Sequence, residues 1–177
     1  HWIGGMGVLV FLLSLLPLAG GYHMNLMKAE SPGPSVSKLV PKVQDTAKIL
    51  YTIYIGMTLL QIVLLLLGRI PLFDTLCISF GTAGTGGFGL KNNSVVYYNS
   101  AYIDVVLTIS MLLFGINFNM YYFLITKRLK DVFKNTELRV YLLIILISTI
   151  LITIEIYPIY ENVFTSLRFS SFQVVSI

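Results

Sequence analysis

Long apolar runs alternate with short polar connections along the chain. Trp2 to Ala19 is the first run, closed by Pro17 and Gly20-Gly21. Residues 22–45 are polar and carry Ser31-Pro32-Gly33-Pro34, a turn signal. Asp45-Thr46 reads as an N-cap for a helix over Ala47–Leu67, which Gly68-Arg69-Ile70-Pro71 stops. Leu72 to Phe80 is apolar but too short to cross a bilayer, which takes about 20 residues. It leads into Gly81-Thr82-Ala83-Gly84-Thr85-Gly86-Gly87-Phe88-Gly89, with five glycines in nine residues, and then the polar Lys91-Asn92-Asn93-Ser94. A third run extends from about Tyr102 to Ile125 and meets Lys127-Arg128-Leu129-Lys130. A fourth runs from about Val140 to Tyr157, ended by Pro158, and residues 160–177 form a second short amphipathic segment.

Composition turns these runs into membrane spans. The 177 residues are 56% hydrophobic and 11% charged, against about 25% charged in a soluble domain. Of the 12 basic residues, Lys28, Lys38, Lys42, Lys48, Lys127, Arg128, Lys130, Lys134 and Arg139 fall on two connections. Basic residues flanking apolar spans mark the cytoplasmic side. Both connections are therefore expected inside, and the glycine loop and residues 158–177 outside. Tyr97, Tyr98 and Tyr102 suit an interfacial belt. The single Cys77 excludes an internal disulfide and a multi-cysteine metal site. The chain opens on His1 with no charged n-region or cleavage site, so no signal peptide is expected, and both ends read as cuts within a longer protein.

The glycine loop has three readings. Gly84-Thr85-Gly86-Gly87-Phe88-Gly89 fits G-x-G-x-x-G, but a dinucleotide site needs a preceding strand, a following helix and an acidic residue about 20 positions on. Here the loop runs into Lys91-Asn92-Asn93-Ser94 and lies between apolar spans, not inside a soluble βαβ unit. The glycines can instead be structural, easing a tight re-entrant turn, since irregular backbone at membrane depth must be buried or line a cavity. Finally, Thr85-Gly86-Gly87-Phe88-Gly89 has the Thr-x-Gly-aromatic-Gly spacing of potassium filters. A monovalent cation shedding its water needs backbone carbonyls in exchange, and glycine admits the backbone conformations that aim them at one axis. Thr85 adds a hydroxyl at the inner end, and Phe88 packs outward.

Several short motifs resemble the Trk/Ktr/HKT superfamily of potassium transporters, in particular the membrane subunit of bacterial Trk or Ktr systems. His1-Trp2-Ile3-Gly4-Gly5-Met6-Gly7 is similar to the segment after that family's first filter. Lys28-Ala29-Glu30-Ser31-Pro32-Gly33-Pro34 resembles its cytoplasmic turn, and Thr46-Ala47-Lys48-Ile49-Leu50-Tyr51 an outer helix start. Thr85 to Gly89 resembles the second filter, Gly115-Ile116-Asn117-Phe118-Asn119 an inner helix, and Phe169-Ser170-Ser171-Phe172-Gln173-Val174-Val175-Ser176 the third pore helix.

The resemblance implies an all-α polytopic membrane protein of helix–pore-loop–helix repeats, one complete and two partial. Residues 1–21 would be the inner helix of repeat one, 22–45 a cytoplasmic connection and 46–126 the complete repeat two. Residues 127–139 would be the next connection, and 140–177 the outer and pore helices of repeat three. It implies potassium uptake across the cell membrane, with K⁺ at Thr85, Gly86, Gly87 and Phe88 and no organic cofactor. The implied partners are membrane lipid, a second copy in a homodimer, and cytoplasmic nucleotide-binding regulatory subunits. Gly86 in place of the family's valine implies a looser filter.

Other residues are read locally. Gly115 and Asn117 are candidates for inner-pore contact: Gly115 reads as a flexible point of the inner helix or as close packing, and Asn117 and Asn119 as contacts below the filter or near the gate or as interhelical hydrogen bonds. Gly4, Gly5 and Gly7 suit close backbone approach. Asp74 begins the short helix, where the dipole favours a carboxylate. Asp104 reads as a surface carboxylate over a group drawing cations to the mouth, Glu155 as a packed hydrogen-bonding group over an ion site, Glu30 as a partner for a neighbouring lysine, and His23 as interfacial. No nucleophile–base constellation occurs, so no enzyme is expected. Two alternatives to conduction remain: a non-conducting membrane scaffold, and a two-helix subunit of a tetrameric channel.

Overall fold

A computed structural model describes residues 1–7, 43–86, 89–125, 127, 132 and 134–177. The rest of the first run, the turn at Ser31-Pro32-Gly33-Pro34, His23, Glu30, Gly87 and Phe88 lie outside the described residues. The described elements are helical: α1 (Trp2–Gly5), α2 (Val43–Leu67), α3 (Leu72–Ala83), a 3₁₀ turn (Ser94–Tyr98), α4 (Ala101–Phe114), α5 (Phe118–Ile125), α6 (Thr136–Tyr160) and α7 (Val163–Ser176). Ala47–Leu67 and Thr136–Tyr160 are long and apolar enough to cross a membrane; α4 and α5 reach that length only when taken together, and they are bent by 91° at the break between them.

Four boundaries differ from the sequence reading. The described part of helix α2 starts at Val43, so Asp45 and Thr46, expected before the helix, fall within it. Helix α6 begins at Thr136, because Asn135 accepts a hydrogen bond from the Leu138 N–H (3.0 Å) and is its true N-cap. Pro158 does not end α6. It falls in the last turn, and the helix closes one turn later at Glu161 in the left-handed conformation (φ 50°), with the Glu161 N–H on the Tyr157 carbonyl. Helix α3 runs on to Ala83, three residues into the glycine-rich stretch.

The third run is the larger departure, because it breaks at Gly115–Asn117. Three of the polar groups at the break are met by side chains. The Tyr121 hydroxyl donates to the Leu113 carbonyl (2.6 Å) and the Tyr141 hydroxyl to the Leu112 carbonyl (3.0 Å). Asn117 Oδ1 accepts from the Asn119 N–H (3.0 Å) and so caps α5. A helix end normally leaves four carbonyls or four N–H groups without partners, and in a bilayer each unmet group is expensive. Tyrosine hydroxyls meet that need elsewhere too. Tyr102 donates to the Leu64 carbonyl at the end of α2 (2.9 Å), and Tyr54 to the Trp2 carbonyl in α1 (2.8 Å). Tyr102 therefore has a specific bond besides any role in a belt.

Helices α2, α3 and α4 pack together, α5 returns against α2, and α7 packs on both α6 and α4. Two apolar clusters fill the interior. One joins Met6, Leu50, Tyr54, Ala83, Phe114 and Phe118; the other joins Leu65, Ile70, Ile78, Ile103 and Leu107. Tyr54, fully buried, is the hub of the first, stacked on Trp2 (5.3 Å) and edge-on to Phe114 (5.7 Å) and Phe118 (5.8 Å).

Candidate functional site

The glycine loop leaves the C-terminus of α3, and that end is built as a Schellman motif. The Gly86 N–H bonds the Gly81 carbonyl (2.8 Å) and the Thr85 N–H the Thr82 carbonyl (3.1 Å). This 6→1 and 5→2 pair requires one residue in the left-handed region, a place that glycine usually takes. Here it is Thr85, at φ 52°. A β-branched residue there is strained, at a cost of about 1–3 kcal/mol. Glycines stand on both sides, at Gly84 and Gly86, so the threonine occupies the one position of the turn where its own backbone is least at ease. Its side chain is exposed.

Close packing supports the turn from below. A Cβ on Gly5 would lie 2.7 Å from the Gly84 Cα and 2.9 Å from the Ala83 carbonyl oxygen. The first segment therefore touches the base of the loop directly, as the small residues of the sequence suggest for Gly5. Gly4 has open space around it. Trp2 reinforces this contact, with its indole N–H on Thr58 Oγ1 (3.1 Å) and its ring 5.7 Å from that of Phe80 in α3.

On the far side, Gly89 lies against the 3₁₀ turn, where a Cβ would meet Ser94 Cα and Oγ at 2.7 Å. Lys91 reaches back to Asp74 in the first turn of α3 (Nζ–Oδ2 3.6 Å), and the Tyr98 hydroxyl donates to the same Oδ2 (2.7 Å). Burial, and then the bond to Asp74, push the Tyr98 phenol well above its ordinary range, so it stays a donor at neutral pH. Asp74 was expected only as a dipole-favoured carboxylate and Tyr98 only in an interfacial belt; Lys91 had no assigned role. No periodic pattern could join them, because the contact closes over the glycine loop itself.

Gly115 and Asn117 are placed together at the helix break. The Asn117 Nδ2 donates to Glu137 Oε2 of α6 (3.3 Å), and a Cβ on Gly115 would collide with the Tyr141 hydroxyl. Asn117, Glu137 and Tyr141 line a cavity of about 80 Å³ with Gly115, Met120 and Asn135. Two carboxylates depart from expectation. Asp104 is not a surface group: its side chain is 15% exposed and pairs with Arg168 of α7 (Oδ2–Nε 3.4 Å). Glu155 is exposed on α6 and not packed.

A short apolar helix ending in a glycine-rich loop, set among membrane-length apolar helices, defines the class: an all-helical polytopic membrane protein. The family model described as TrkH, cation transport protein, matches residues 1–176. The chain belongs to that family, one of transport proteins and not of enzymes. It is 34% identical to the Trk system potassium uptake protein TrkH of Salmonella typhimurium over 181 residues, covering 100% of this chain and 38% of that protein. Against the Trk system potassium uptake protein TrkG of Escherichia coli it is 34% identical over 161 residues, 90% of this chain and 33% of that one. The fold matches the crystal structure of the potassium transporter TrkH from Vibrio parahaemolyticus with a TM-score of 0.77 at 24% identity, over 99% of this chain and 35% of that chain. The chain thus spans 38% of the length of its Salmonella relative.

Proposed function

We propose that this chain supplies one quarter of a potassium-selective path through the cell membrane, with the backbone carbonyls of Thr85, Gly86, Gly87 and Phe88 taking the place of the ion's water. Residues 46–126 act as one complete helix–loop–helix unit. Residues 1–21 belong to the unit before it and 140–177 to the unit after it, and the other loops of the path come from the rest of the polypeptide. The connections 22–45 and 127–139 face the cytoplasm, where nucleotide-binding regulatory subunits dock, and two copies pair in the membrane. The resemblance to Trk-type proteins supports these assignments.

The observation that carries the reading is Thr85. A Schellman turn flanked by glycines would close at no strain with a third glycine at that position. A threonine there costs stability and is explained if its hydroxyl is needed at the inner end of a filter. In the intact protein, Gly87→Arg places a charged side chain in the path and is expected to abolish potassium-dependent growth of a transport-deficient host. Unimpaired growth contradicts conduction through this loop and leaves the scaffold reading. Thr85→Ser, which keeps the hydroxyl, is expected to retain uptake, and Thr85→Gly, which relaxes the backbone, to lose potassium selectivity.

A further inference from the structure

The filter loop is held at two places, and only one of them is local. At its start the Schellman bonds fasten Thr85 and Gly86 to α3. At its end, Lys91 and Tyr98 converge on one oxygen of Asp74, at the opposite end of the same helix. Asp74 is 8% exposed, and Lys91 is further steadied over the Tyr97 ring (5.1 Å). Glycine loses more backbone freedom on ordering than any other residue, so a stretch with five of them in nine residues is costly to hold in one shape. Fixing both ends to one rigid helix reduces that cost, because a chain closed between two fixed points has fewer states to lose.

We propose that Asp74 is a positioning residue for the filter: through Lys91 and the Tyr98 hydroxyl its carboxylate ties the backbone leaving Gly89 to the first turn of α3 and sets the geometry of the outer mouth. This rests on the reading of Thr85–Gly89 as a filter. The carboxylate has a second effect. It neutralises Lys91, whose charge would otherwise oppose cations approaching the loop. Asp74 touches no ion itself. Its role is to keep the carbonyl spacing uniform, so its loss shows in discrimination between ions before it shows in the amount of folded protein.

The test uses the full-length protein in proteoliposomes, with K⁺ and Na⁺ uptake measured separately alongside the thermal midpoint of each variant. Tyr98→Phe removes one hydroxyl, and Asp74→Asn removes the charge while keeping an acceptor for Tyr98. Each is expected to lower the K⁺-to-Na⁺ uptake ratio by about three- to tenfold, the scale of one hydrogen bond or ion pair. Lys91→Arg is expected to hold the wild-type ratio and Lys91→Met to lower it. Asp74→Asn combined with Lys91→Met is expected to be no worse than either alone, since the two act as one unit. If the ratios of Tyr98→Phe and Lys91→Met stay at the wild-type value, the proposal is overturned. If Asp74→Asn fails to assemble, the single-oxygen Tyr98→Phe decides. Gly87→Arg, run in parallel, separates the two levels. Uptake surviving that change removes the filter reading itself; uptake lost there with the other ratios unchanged removes only the role of Asp74.

Discussion

Helices α3 and α7 are the two short helices that follow a membrane-length helix, and they are anchored by opposite charges. α3 carries the anion, Asp74, held by Lys91 and Tyr98 from the segment beyond its own loop. α7 carries the cation, Arg168, which lies over the Phe169 ring (4.6 Å) and pairs with Asp104 on α4. Their N-termini differ as well. Pro71 precedes α3 with no side-chain cap. Asn162 caps α7 by accepting from the Phe164 (2.9 Å) and Thr165 (3.4 Å) N–H groups. One helix is thus locked to the segment beyond its own loop and the other to α4. The comparison shows that two short helices can hold the same place after a membrane-length helix while their stabilising contacts differ in sign and address.

The largest effect should come from Gly5→Val. Its side chain would meet the Gly84 backbone and the Tyr54 hydroxyl (2.6 Å), and overpacking of this kind costs about 1–3 kcal/mol or more. The turn that starts the loop would shift with it. The expected result is loss of most uptake with protein still in the membrane; Gly4→Val, with open space around it, should be close to wild type.

Arg168→Met sharpens the comparison from the α7 side. It leaves Asp104 half-buried without its cation, and breaking such a pair from one side costs about 3–5 kcal/mol when fully buried and less when partly exposed. Asp104→Asn in the same chain should recover most of the loss of thermal midpoint. Failure of that rescue would mean that Arg168 acts through packing on Phe169 and not through Asp104.

Gln61 gives a smaller effect of opposite sign. It is 2% exposed, and neither atom of its amide has a hydrogen-bond partner among the described residues. Gln61→Met removes the unmet group at similar volume and is expected to raise stability by about 1–3 kcal/mol, read as a higher midpoint in detergent. A lower midpoint would show that water or another segment completes the amide.

The smallest effect concerns pH. A tyrosine whose pKa is raised on folding contributes stability that is present below its ordinary value, about 10, and is lost as pH rises through the higher folded value. The bond from Tyr98 to Asp74 should therefore be insensitive to pH across the neutral range. A fall in ion discrimination between about pH 6 and 8 that Tyr98→Phe removes would contradict this assignment.

How much of this was legible in the sequence differs by region. The apolar runs located α2, α3 and α6, a short amphipathic segment located α7, and the cluster of glycines located the loop, although the left-handed position within it is held by Thr85. Asn135 and Asn162 look like other polar loop residues until the helix behind them is seen. The break at Gly115–Asn117 was hidden by its surroundings: Leu112, Leu113 and Phe114 before it and Phe118 after it continue the apolar run without a pause. The break is tolerated because Tyr121 and Tyr141 supply the hydroxyls, and no pattern in the run announces tyrosines one turn beyond it and on another helix. The Asp74 and Asp104 pairs were out of reach for the same reason, since each joins elements that only the fold brings together.

The central claim is that Thr85 to Gly89 binds the transported ion through its backbone. Crystals of the full-length protein soaked in rubidium, a potassium stand-in with a usable anomalous signal, test it most directly. The account predicts an anomalous peak coordinated by the Thr85 and Gly86 carbonyls and lost in Gly87→Arg. An empty loop, with rubidium bound elsewhere in the membrane region, would contradict it.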